Sequence, residues 1–110
     1  MAKLYAYEFN GNSGTFLAAE VDAGETEKQY MIDRNGKPLP FLSKYKITKS
    51  EMEKVINVSD GVVVYLTERD GLKARQIILD HYKELHDYYK NHMEKYQSYI
   101  DNLTGRNADA

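Results

Sequence analysis

The stretch Val62–Leu85, VVVYLTERDGLKARQIILDHYKEL, decides the fold. Its first five residues, Val62-Val63-Val64-Tyr65-Leu66, are β-branched, aromatic or apolar at every position and lack the polar alternation of a half-exposed strand. Such a run predicts an interior strand covered on both faces. Asp60-Gly61 ahead of it reads as a turn. Behind it the period changes: Thr67-Glu68-Arg69-Asp70 follows the logic of a capping box with a shortened acid, and apolar residues then recur at helical spacing. A strand running straight into a helix, in a chain of 110 residues, predicts one α+β domain.

Downstream, Ile78, Tyr82, Leu85, Tyr89, His92, Tyr96, Tyr99 and Leu103 are spaced alternately four and three apart, which is a heptad seam. Leu79, Met93 and Ile100 widen the stripe. Lys83, Asp87, Lys90, Asn91 and Glu94 take the opposite face, with Lys83/Asp87 and Lys90/Glu94 spaced for i,i+4 pairing. No glycine or proline falls between Gly71 and Gly105, so one helix is predicted over about 69–103, roughly 50 Å long at about 1.5 Å per residue. Residues 105–110 read as a tail. A strand of six residues spans only about 20 Å, so the helix is expected to extend beyond the sheet.

An amphipathic overhang needs a covering: the helix folds back, a second copy pairs with it, or another macromolecule does. The missing breaker argues against the first. Tyrosine packs less well than leucine in a dedicated coiled coil. It suits interfaces that are apolar on one side and wet on the other, because it buries a large area and keeps a polar tip. Tyr82, Leu85, Tyr89, His92, Met93, Tyr96 and Tyr99 therefore form the candidate interaction surface, facing a homodimer partner or another protein. In a symmetric dimer two copies of His92 would approach, and protonation near about pH 6.5 would weaken their pairing.

Upstream, Lys3–Phe9 and Thr15–Val21 flank the turn-rich NGNSG and predict a β-hairpin. A third strand is predicted over Lys28–Ile32, closed by Asp33-Arg34-Asn35-Gly36. The two prolines of KPLPFLSKYKI exclude a central strand there, so the segment reads as a surface connection that tucks Leu39, Phe41 and Leu42 inward, with Tyr45 and Ile47 extended at its end. Thr48-Lys49-Ser50-Glu51 is a capping box and predicts a short helix to about Ile56. The expected fold class is α+β: a small antiparallel sheet of three to four strands, one short helix and one long C-terminal helix, all within a single domain over 1–104.

Fifteen Lys+Arg against seventeen Asp+Glu announce neither a wholesale nucleic-acid binder nor an acidic mimic. The charge is uneven, however, with six Lys/Arg and two acids over 34–54. Lys37, Lys44, Lys46, Lys49 and Lys54, with Phe41 and Tyr45 interleaved, make nucleic-acid contact the alternative function. Three histidines on one helix suggest a metal, but His81 and His86 point about 140° apart and His92 lies roughly 16 Å further along, so no metal or cofactor is expected. No phosphate loop or nucleophile elbow is present, and an enzyme is not expected. Zero cysteines, no apolar run of spanning length and an alternating N-terminus place the chain in the cytoplasm, on expectation. The sequons at Asn57 and Asn102 then have no meaning.

The order of parts is similar to that of small proteins carried by phages and prophages of Gram-positive bacteria. Short N-terminal strands, an NG turn, a basic Pro-containing crossing and T-K-S-E precede VVVYLTERDGLKARQIILDHYKEL, and residues 61–85 carry most of the likeness. Several such proteins are stoichiometric antagonists of host defence, anti-CRISPR proteins among them. The resemblance implies a non-enzymatic inhibitor that binds a larger host complex inside a bacterial cell. It assigns a role to no residue, and the tyrosine-rich extension after Leu85 is longer than its pattern requires.

Overall fold

A computed structural model describes residues 1–103 with their side chains and the backbone as far as Asp109; the tail expected over 105–110 lies outside the fully described residues. The elements are β1 (Ala2–Asn10), β2 (Phe16–Glu25), β3 (Gln29–Met31), β4 (Lys46–Thr48), β5 (Val55–Val58), β6 (Gly61–Leu66) and α1 (Gly71–Asp109). All six strands join one antiparallel sheet in the order β4-β3-β2-β1-β6-β5, shaped as a half-barrel. The chain divides into two compact units, Met1–Leu79 and Asp80–Ala110.

The architecture is α+β, but the expectation of three to four strands is overturned: the sheet has six. The added strands are the two edges. β4 is only three residues long, and its one buried residue, Ile47, gives no alternation to read. β5 replaces the second half of the short helix predicted over 48–56, which does not form. The local signal there is real, since Glu51 Oε1 accepts hydrogen bonds from the Thr48 N–H at 3.0 Å and the Thr48 hydroxyl at 2.9 Å. It closes a single 3₁₀ turn, Lys49–Glu51. Met52 then leaves helical space with ψ 148°, and Glu53 turns the chain with φ +60°. Beyond it Val55 and Ile56 pair with Val64 and Val63 of β6. Two β-branched residues beside an interior strand gain more from pleated packing than from a helix that penalises their branching.

Register separates the two faces of the sheet. Ala6 opposes Tyr65, and Tyr7 opposes Val64, so alternate residues of β1 and β6 serve opposite sides. On one side Leu4, Ala6, Ala23, Val63 and Tyr65 meet Tyr30, Ile47 and Leu39, with Phe41, Leu42 and Ile56 packed against them. The proline crossing closes this side as predicted, and the Tyr65 hydroxyl donates to the Pro40 carbonyl at 2.5 Å. Burial raises the phenol pKa well above its ordinary value. On the other side lie Tyr7, Val62, Val64 and Leu66, all buried, and Tyr7 Cε1 comes within 3.6 Å of the position a Cβ would take on Gly71, where α1 begins. Ala74 and Ile78 of α1 are buried as well. Residues 62–66 are thus the covered interior strand that their composition predicts.

Two glycine expectations resolve differently. At Gly61 a Cβ would stand 1.9 Å from the Phe9 carbonyl oxygen, so β1 approaches too closely for any side chain. Asn35-Gly36 does not use the positive φ it tolerates; Gly36 donates to Asp33 O at 3.1 Å while Asp33 Oδ1 accepts from the Asn35 N–H. The start of α1 is also shifted. Asp70, not Thr67, is the cap, its Oδ1 accepting the Lys73 N–H at 3.0 Å and its carbonyl the Ala74 N–H at 3.1 Å.

Candidate functional site

Within the unit Asp80–Ala110 the tyrosines lie on the helix surface. Tyr88, Tyr89, Met93, Tyr96, Tyr99, Ile100 and Leu103 are each between 48% and 72% exposed, while Tyr82, Leu85 and His92 are half-buried. Each of these positions is helical, so the spacing read from sequence becomes a physical stripe. The rings touch along it. Tyr88 and His92 stand 4.2 Å apart between centroids, His92 and Tyr96 6.3 Å, and Tyr96 and Tyr99 6.1 Å. His92 is half-buried because its imidazole sits between two tyrosine rings of its own helix. Lys95 lies over the Tyr99 ring at 5.9 Å.

Tyr88 was not among the sequence candidates, and it holds the shortest of these ring contacts. The signal was available: Tyr88, His92 and Tyr96 follow one another at i,i+4, and Tyr99 comes three residues later. The strict heptad line set it aside because it lies one position to the flank. The opposite face is polar, as expected, although Asp87 faces His86 Nδ1 at 3.4 Å instead of Lys83. Gln97 donates to Asp101 at 3.0 Å across one turn.

The basic segment is dispersed by the fold of the Met1–Leu79 unit. Lys44 pairs with Glu51 at 2.7 Å, and Lys49 pairs with Glu25 at 2.5 Å. The Lys44 ammonium, helped by the Thr48 N–H, holds the Glu51 carboxyl below its usual range, and the hydrogen bond that Lys49 donates to the Glu25 carboxylate raises the Lys49 pKa. Lys46, Lys44 and Arg34 do border one concavity of about 570 Å³, with Tyr45 and Met31 in its wall. Lys37 and Lys54 do not line it. Two of the five expected lysines, Lys44 and Lys46, are therefore gathered beside Arg34, and Lys44 of these is already paired with Glu51.

Elsewhere in this unit Arg69 bridges to Glu20 at 2.9 Å over the Tyr5 ring, and Arg75 stacks over Phe16 at 4.7 Å. Lys73 joins Glu53 and Glu68. These contacts fasten the loop after β6 and the first turn of α1 to the sheet unit, and none brings an acid, a base and a nucleophile into one pocket. Among the described residues no three His, Asp or Glu side chains converge as a metal site, and no helix is long and apolar enough to cross a membrane.

No protein-family model matches the chain, and neither a curated protein nor a solved structure is significantly similar to it.

Proposed function

We propose that this protein is a non-enzymatic protein-binding module whose working surface is the tyrosine stripe of α1. One observation carries the reading: from Tyr88 to Leu103 seven large apolar or aromatic side chains stand about half or more exposed along one helix. Exposed large residues are ordinary when scattered, but a contiguous row is the signature of an interface. Their type fits, since tyrosine and methionine are enriched where proteins meet and charged residues are depleted there. Together with the phage-like order of elements, inhibition of a host defence complex is the most concrete form of this function.

The nucleic-acid alternative has weaker support. Two of its five lysines are engaged with Glu51 and Glu25, and only Lys44 and Lys46 of the five share the Arg34 concavity.

The test is biological first. Expressed in a bacterium whose CRISPR system restricts a phage, the wild-type chain should restore plaque formation, and Tyr89→Asp should not. Unchanged plaque counts with the wild type would remove the inhibitor reading. Equal restoration by Tyr89→Asp would move the working surface off the helix.

A further inference from the structure

We propose that the occupant of the tyrosine stripe is a second copy of this chain, the two helices pairing through the same face. The inference rests on the binding-module reading and names its partner.

Three features point to self-pairing. The first is periodicity: Tyr82, Tyr89, Tyr96 and Leu103 form one line of a heptad, and Leu85, His92 and Tyr99 form the other, over three successive heptads in an unbroken helix. That repeat lets two helices stay in register along their length, whereas a single anchor set of one or two turns suffices for a groove on a foreign globular protein.

The second is charge. Beside the two lines lie His86, Met93 and Ile100 on one flank and His81, Tyr88 and Lys95 on the other. Lys95 is the one formal charge on this broad face between His81 and Leu103, and its ammonium is folded over its own Tyr99 ring. Asp80, Asp87, Glu94 and Asp101 recur every seven residues on the opposite side. A face laid against its own copy meets its own charges, so it must be nearly neutral; a face shaped for a different partner carries no such requirement.

The third is area. The seven side chains from Tyr88 to Leu103, at 48% to 72% exposure, leave open the equivalent of about four whole large side chains. At about 200 Å² each this is roughly 800 Å² per chain, and a pair that covered all of it would bury roughly 1,600 Å² in total, the size of a standard specific interface.

Light scattering on the full chain from about 1 µM to about 100 µM tests the pairing. The expected mass is twice the 12.7 kDa of one chain, falling toward one chain on dilution. Tyr89→Asp and Met93→Lys should each give a single-chain mass at every concentration, and Asp87→Lys on the polar face should leave the wild-type mass. A wild type that stays at one chain, or that forms a larger assembly, overturns the proposal. So does a dimer that survives both stripe substitutions. The thermal melt of each variant separates this failure from that of the binding module. A monomer whose melt is unmoved by Tyr89→Asp keeps an open stripe and returns it to a partner of different sequence. A monomer that Tyr89→Asp unfolds has its stripe in a folded core, and both readings fall.

Discussion

Val62–Leu66 and Tyr88–Leu103 are both dense in apolar and aromatic residues, and the structure treats them in opposite ways. The strand is at most 2% exposed along its length, covered on one side by Leu39, Phe41 and Leu42, while on the other Val64 lies beside the equally buried Tyr7 of β1. Seven large side chains of the helical stripe from Tyr88 to Leu103 are about half exposed or more, and only His92, held between Tyr88 and Tyr96, is less so. Residue type already hints at the divergence. Valine has no polar atom and gains only by burial, while a tyrosine hydroxyl keeps its hydrogen bonds when one edge stays wet. Tyr65 makes the point from inside the core, where its buried hydroxyl needs the Pro40 carbonyl at 2.5 Å. Tyr96 and Tyr99, by contrast, are 60% and 48% exposed.

Substitutions that break the buried side of this comparison should cost most. Val64→Asp places a charge in a position with no exposure, and loss of the cooperative thermal transition is expected, a penalty above about 4 kcal/mol. Gly61→Ala should follow at about 2–4 kcal/mol, because a methyl 1.9 Å from the Phe9 carbonyl forces β1 and β6 apart. Urea titration would read it as a lower midpoint. If Gly61→Ala melts like the wild type, the close approach of the two strands is wrong.

Tyr65→Phe should lose about 1 kcal/mol at neutral pH by leaving the Pro40 carbonyl without its donor. It also has a pH signature. The folded phenol titrates above its unfolded value of about 10, so the stability it supports is complete below that value and is lost as pH rises through it. Wild type should destabilise above about pH 10 more steeply than Tyr65→Phe, as followed by circular dichroism.

Glu51→Gln is a smaller perturbation, about 0.5 kcal/mol, because the Lys44 pair is partly exposed and screened. Its carboxyl titrates below the ordinary value. Its contribution is therefore present above that value and lost as pH falls through the folded pKa, so the two proteins should converge in acid. Smallest of all, Tyr89→Asp should change the melting of the sheet unit by less than about 0.5 kcal/mol, the range of surface substitutions, when both proteins are diluted to single chains. A larger loss would end the contrast between the two regions.

Reading the fold from sequence succeeded where one element's pattern was enough. The β1–β2 hairpin, the interior strand β6 and the inward turn of Leu39 were legible because each announces itself by alternation, continuity or proline. Strand β5 was not, and of β4 only the extended backbone at Ile47 was, without its pairing to β3. Thr48-Lys49-Ser50-Glu51 specifies its local hydrogen bonds correctly, yet how far a helix continues depends on what Val55 and Ile56 can pair with, and that is β6. The candidate surface was legible to a similar extent. Heptad spacing picked out Tyr89, Tyr96 and Tyr99, with Met93 alongside, while Tyr88 escaped because a ring contact to His92 at 4.2 Å depends on side-chain direction as well as spacing.

The amino-acid sequence by itself determined that this is an α+β chain with a covered strand, a long amphipathic helix and its tyrosines on one stripe. Those properties follow from periodicity, and periodicity is local. Only the tertiary structure decided that the sheet has six strands, that Glu53 turns the chain at φ +60° away from the predicted helix, and that part of the basic segment is divided between carboxylates and a concavity. Strand pairing and ion pairing join residues far apart in the chain, such as Lys49 with Glu25, and no local pattern of either partner specifies the other.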